Sequence, residues 1–191
     1  MNEKIDNKTK DALIGALEKA KTFSQQLQNS REQRLWKKIN IPCKLFDAIS
    51  GLSKNEMERI RKKLELGGLS SLRKGELACE LVNLIPLQFK RVIYTLDQER
   101  YNLVKEVINN SGVITNKDIS SSKVESLMEY SIVFPCVYNN QKVLVMPLEL
   151  MSIFSKIDGT ELEKIVRRNK EWICLTHGLL YYYGVADARL M

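Results

Sequence analysis

The sequence predicts a mainly α-helical protein carrying one small β-hairpin. Three features point there. Apolar residues recur three and four apart through most of the chain, Ser-x-x-Glu patterns open helices at Ser53 and Ser122, and two β-rich runs flank Asn139-Asn140. Four spans follow in chain order. They are an amphipathic helical segment over 1–40, a helical hairpin over 41–95, helices leading into the β-hairpin over 96–155, and a helical segment over 156–191. With 44% hydrophobic residues, 9 glycines and 4 prolines in 191 residues, the composition is that of a globular chain rather than a disordered one.

In the first span, Leu13, Ala16, Leu17, Ala20, Phe23 and Leu27 recur at helical spacing between Lys8 and Gln28, giving an apolar face that needs a partner surface. The pattern continues helically from Arg31 to Lys38 around Leu35 and Trp36, and Ile41-Pro42 then breaks it. Trp36 beside Lys37 and Lys38 has the chemistry to stack on a base, but its helical spacing from other apolar residues favours the core.

The second span contains the run LSKNEMERIRKKLELGGLSSLRKGELACEL, residues 52–81. Ser53 and Glu56 form a capping box, the serine oxygen accepting from a free amide and the glutamate reaching back. Met57, Ile60 and Leu64 make one apolar face, and Gly67-Gly68 ends the helix where a positive φ is needed. At about 100° per residue, Arg59, Lys62 and Lys63 fall on the opposite side. A second helix begins near Arg73-Lys74, buries Leu77, Leu81, Leu84 and Ile85, and meets Pro86, which ends it or starts the next turn. Lys62 and Lys63 are expected close to Arg73 and Lys74, leaving one basic surface.

Charge sharpens that expectation. Residues 1–100 hold 20 Lys/Arg against 13 Asp/Glu, whereas residues 101–191 hold 10 of each, so the net charge of +7 sits in the first half. Such an asymmetry suits a polyanion, and nucleic acid is the commonest polyanion in a cell. The first amides of a helix are unpaired and its dipole end is positive, so phosphate is favoured at the start of the second helix. Arg73 and Lys74 flank that end, and Ser70 and Ser71 add hydroxyl donors.

The pattern LSKNEMERIRKKLELGGLSSLRKGELACELVNLI resembles the SAP-like helical module at the N-terminus of the transcription terminator Rho. The features that carry the resemblance are the apolar-spaced first helix, the Gly-containing turn, Leu-Arg-Lys at 72–74 and Glu-Leu at 76–77. It covers roughly 40 residues, a short motif, and implies nucleic-acid contact with modest sequence preference. It implies that Arg73 and Lys74 meet phosphate, with Lys54, Arg59, Lys62 and Lys63 completing the basic surface. A purely structural hairpin with solvating charges stays open beside it.

In the third span, Tyr101, Leu103, Val104, Val107 and Ile108 give a helix that stops at Asn109-Asn110-Ser111-Gly112. Ser122 and Glu125 form a second capping box ahead of Leu127, Met128 and Tyr130, and IVFPCVYNNQKVLVMP supplies the hairpin. Helices followed by a two-stranded hairpin look like a winged helix. Its candidate recognition helix offers Lys123 beside Glu125 and Glu129, which phosphates would repel, so this unit reads as structural or protein-binding.

The fourth span opens with Thr160 as N-cap and Glu161 and Glu163 in the first turn, and its helix continues toward Tyr183 with Gly184 as its stop. Tyr181, Tyr182 and Tyr183 point three ways on a helix, which favours packing over a stacking platform. VADARLM is an odd place for a domain to finish, so the chain reads as a piece of a longer protein. The order of segments, with GLLYYYGV at 178–185, resembles a bacterial family in which Rho-N/SAP-like and winged-helix-like segments precede a C-terminal SEC-C metal-binding motif. The clustered cysteines of that motif are absent.

No catalytic, metal or cofactor pattern is legible. Cys43, Cys79, Cys136 and Cys174 form no CxxC pair and read as reduced, mostly buried thiols of a cytoplasmic protein. His177 lies in an apolar helical context with no evident partner, and GxxxxGK[ST], HExxH, GxSxG and GxGxxG do not occur. MNEKIDNKTK lacks the apolar core of a signal peptide, and no apolar run approaches the roughly 18 residues of a membrane span. The expectation is a non-catalytic protein that binds DNA or RNA. The alternative is a protein-interaction scaffold that associates with a partner or itself through the N-terminal helix or the C-terminal half.

Overall fold

Helices and a small sheet share one hydrophobic core in the computed structural model, which describes residues 7–115 and 119–184. The order is α1 (Asn7–Leu35), α2 (Leu45–Ser50), α3 (Lys54–Lys63), α4 (Lys74–Tyr94), α5 (Gln98–Asn109), β1 (Val113–Thr115), α6 (Ser121–Glu129), β2 (Phe134–Tyr138), β3 (Gln141–Val145), α7 (Leu148–Ile157) and α8 (Thr160–Tyr183). The mainly helical expectation with a small β element and a C-terminal helix holds. The VADARLM ending lies outside the described residues.

α1 is one continuous helix to Leu35, as the helical pattern continuing past Arg31 implies. Its end engages the body, where Leu35 is buried and Glu32 meets Ser121 and Lys142. Past it, Lys37 pairs with Cys136 on the outer edge of β2, and the Lys37 carbonyl accepts from Val137 N–H at 2.8 Å. The Lys37 ammonium reaches Glu56 at 2.8 Å and the Gly51 carbonyl at 3.2 Å. The Ser53–Glu56 capping box is present, with Glu56 accepting from Ser53 N–H at 2.6 Å and the Ser53 hydroxyl accepting from Glu56 N–H at 3.3 Å.

α4 does not stop at Pro86. A proline inside a helix removes one amide donor and costs about 3 kcal/mol. Beyond it Phe89, Val92 and Ile93 are buried, each worth about 1.5–3 kcal/mol, so burial outweighs the break and the helix runs its 21 residues. α4 also packs on α7, so the core is continuous across the expected boundary between residues 95 and 96.

The sheet is antiparallel with order β1-β3-β2. Asn139 and Asn140 take φ of 48° and 59°, the double positive φ of a two-residue turn whose twist matches the strands. β1, three residues long, has no period to betray it in sequence. A single helix, α6, occupies the described chain between β1 and β2, where a helix-turn-helix needs two. Its N-cap is Ser120 rather than Ser122, because the helix starts at Ser121 and Ser122 lies inside it. Likewise Gly159 caps α8, and Thr160 is its first helical residue.

α3, α5 and α6 end alike. Glu65, Ser111 and Ser131 adopt φ of 56°, 57° and 56°, and the next amide bonds back to Arg61, Val107 or Leu127 at 2.8–3.0 Å. α3 therefore stops at Glu65, before Gly67-Gly68. Ser131 is fully buried and its hydroxyl has no partner among the described residues. Replacing Ser131 with glycine relieves both the left-handed strain and the unpaired hydroxyl. The greater freedom of unfolded glycine offsets part of this, and the net expectation is a gain of about 1 kcal/mol, or about 2–4 °C in Tm. Thermal unfolding followed by circular dichroism checks it, and a lower Tm would refute the account.

Candidate nucleic-acid interface

The six sequence-predicted cations divide by what surrounds them. Around α3, Glu56, Met57, Ile60 and Leu64 turn inward. Lys54 and Lys62 lie on the opposite side, exposed and without an ion pair among the described residues. Arg59 turns toward α6, 3.6 Å from Glu129 and 3.9 Å from Glu125. Lys63 also faces α6, over the Tyr130 ring at 4.6 Å. These two side chains join α3 to α6. The acids of α6 that repel phosphate are turned to an internal partner.

Arg73 is the N-cap of α4 and Lys74 its first residue, and both are exposed with no ion pair among the described residues. The start of this helix is less open to an anion than the dipole alone implies. Glu76 reaches back to accept from Arg73 N–H at 2.8 Å, placing the chain's own carboxylate at the positive end. Any anion here must be held by the two basic side chains.

Lys62 and Lys63 are not beside Arg73 and Lys74, which corrects the expectation of one surface. Arg91 donates to the Leu64 carbonyl at 3.0 Å and pairs with Glu65 at 2.8 Å. These contacts hold the end of α3 against the last turns of α4. From Lys74 to Arg91 is about 17 residues of helix, or about 26 Å. The loop after α3 therefore carries the chain back along α4, and the cations fall into two groups at opposite ends of that helix.

At the far end other cations join Lys62. Lys90 and Arg91 are exposed on α4. Asn169 of α8 donates to the Tyr94 and Leu96 carbonyls, 2.9 Å each, so the middle of α8 lies against the end of α4. The first turn of α8 is positioned by Lys105, which sits 3.6 Å from both Asp158 and Glu163. Tyr101 donates to Asp158 at 2.6 Å, and burial together with that bond pushes its phenol pKa up. With Leu162 and Val166 buried, Lys164, Arg167, Arg168 and Lys170 are exposed and make no ion pair among the described residues. The signal was present in sequence as KIVRRNK, hidden by an even charge count over the second half. Lys105, Lys123 and Lys142 of that half are spent on internal acids, which leaves the α8 cations among the unpaired basic side chains of that half.

The remaining reactive groups form no site. Burial pushes the Cys43 thiol to about 12 and the Cys136 thiol to about 11, so both stay protonated, while Cys79 and Cys174 are exposed. His177 is exposed. Among the described residues no three His, Cys, Asp or Glu side chains gather to hold a metal, and no helix is long and apolar enough to cross a membrane. Comparison with protein-family models, curated proteins and solved structures finds no match to this chain.

Proposed function

We propose that the protein is a non-catalytic nucleic-acid-binding protein that grips phosphates through the helical pair α3–α4, with weak sequence preference. One observation carries the reading: Lys54, Lys62, Arg73 and Lys74 stay exposed and unpaired among the described residues, while neighbouring Arg59, Arg61 and Lys63 are committed to internal contacts. The resemblance of this stretch to the SAP-like module of Rho supports the same reading. Lysines and arginines aimed at phosphate give affinity without reading bases. Fluorescence anisotropy with labelled single-stranded DNA, duplex DNA and RNA tests it. Binding should weaken with rising salt, with a log-log slope of about −0.9 per duplex phosphate or −0.7 per single-strand phosphate. An Arg73→Glu/Lys74→Glu variant should bind at least tenfold more weakly and show a slope shallower by about 2. Absence of binding to all three nucleic acids at low salt would refute the proposal.

A second reading, self-association, rests on α1. Leu13, Leu17, Phe23 and Leu27 are 61%, 62%, 62% and 53% exposed on a helix of 29 residues. Leu13, Ala16, Ala20, Phe23 and Leu27 follow the alternating three-four spacing of a coiled-coil seam. Sedimentation equilibrium of the chain and of a Leu17→Asp/Phe23→Asp variant tests it: a dimer dissociated by the substitutions supports the reading, and a monomer throughout removes it.

A further inference from the structure

α8 carries two kinds of side chain on one exposed side. Lys164, Arg167 and Arg168 project from its first half. Trp172 follows Arg168 by four residues, so the two are neighbours along the same side of the helix. Trp172 is 45% exposed, an unusual placement for the largest apolar side chain. Glu161 and Glu171 are the acids on this side, and neither forms an ion pair among the described residues. Asn169 ties the middle of α8 to the end of α4, and Lys164, Arg167 and Arg168 lie on the side of α8 turned away from that contact.

A cationic row beside an aromatic face fits a strand whose bases are unstacked. Phosphates lie along the row and a base stacks on the ring, which a closed duplex cannot offer. We propose that the exposed side of α8 is a binding site for single-stranded nucleic acid. Arg167, Arg168 and Lys164 hold the backbone and Trp172 stacks on a base. This inference rests on the nucleic-acid reading above and assigns it a strand type and a second contact surface, some distance from Arg73 and Lys74.

The test uses the full chain with a labelled oligothymidine, which forms no structure of its own, and a duplex of equal length. Anisotropy gives affinity, and tryptophan emission reports stacking. The chain has two tryptophans, Trp36 and Trp172. The expected result is tighter binding of the single strand with quenched emission. Arg167→Glu/Arg168→Glu should weaken binding at least tenfold and Trp172→Ala about fivefold or more. Trp172→Phe should retain most affinity while losing the quench. All three positions are solvent-facing, and circular dichroism verifies that each variant is folded. If the α8 variants bind like the parent while Arg73→Glu/Lys74→Glu loses binding, the α8 site is refuted and the nucleic-acid function stands. Preference for duplex without quenching also refutes it. If nothing binds at low salt, the functional reading itself fails and this inference falls with it.

Discussion

Replacing Gly112 with alanine should destabilise the protein by about 2–3 kcal/mol, measured by urea denaturation. Gly112 follows the left-handed residue that closes α5 and itself adopts φ of 86°. Its amide donates to the Val107 carbonyl at 2.8 Å and its carbonyl accepts from Met146 at 2.9 Å, so the backbone cannot shift without breaking the link from α5 to the sheet. An L side chain at positive φ costs about 1–2 kcal/mol. A Cβ would also stand 2.6 Å from Met151 Sδ, and moving that flexible side chain adds about 1 kcal/mol. The two parts separate experimentally. Met151→Ala in the same background should restore the steric part alone, and full recovery would show that the backbone conformation contributes nothing. Net stabilities are about 5–15 kcal/mol, so the loss is a large share.

Lys37→Met should remove about 2–3 kcal/mol at neutral pH, with a pH signature that distinguishes charge from packing. Glu56 is 7% exposed, and Lys37 is its cationic partner. Withdrawing one partner of a fully buried pair costs about 3–5 kcal/mol. Lys37 keeps about a third of its side chain in water and Ser53 still serves Glu56, which lowers the figure. Burial pushes the Glu56 pKa up, but the Lys37 bond and the two Ser53 bonds outweigh it, and the net shift is downward from 4.5. A carboxylate with a depressed folded pKa adds stability above its unfolded value, and the contribution is lost as pH falls through the folded one. The gap between parent and variant should therefore be full at pH 7 and shrink as pH drops below about 4. An equal gap at pH 7 and pH 3 would mean that the lysine stem, not its charge, matters.

Much of the fold was legible because its signals are local. The Ser53–Glu56 box, the Asn139-Asn140 turn and the start of α4 at Arg73-Lys74 each depend on a few adjacent residues. What escaped depends on the distant chain. Pro86 stays helical because the residues beyond it are buried in the common core, and β1 exists because β3 supplies its partner. Glu65 takes the left-handed position ahead of two glycines, where Arg91 from the end of α4 holds it. The candidate site divides the same way. Residue types and exposure of Lys54, Lys62, Arg73 and Lys74 could be read from helical spacing. Their separation could not, since it is set by the Arg91–Leu64 bond between residues 27 apart. The α8 cations were in plain sight, but counting charge by halves averaged them away.

The shared wall that α4 forms between the helical pair and the sheet-bearing half bears on how such a chain can evolve. A short motif on an independent core travels between proteins as a cassette. Here α4 packs on α7 and α8 as well as on α2 and α3, so excising residues 41–95 would strip part of the cover from its buried residues. The helical pair is thus committed to its neighbours. Its surface is free to diversify residue by residue, but recombination at residue 95 would sever the core itself.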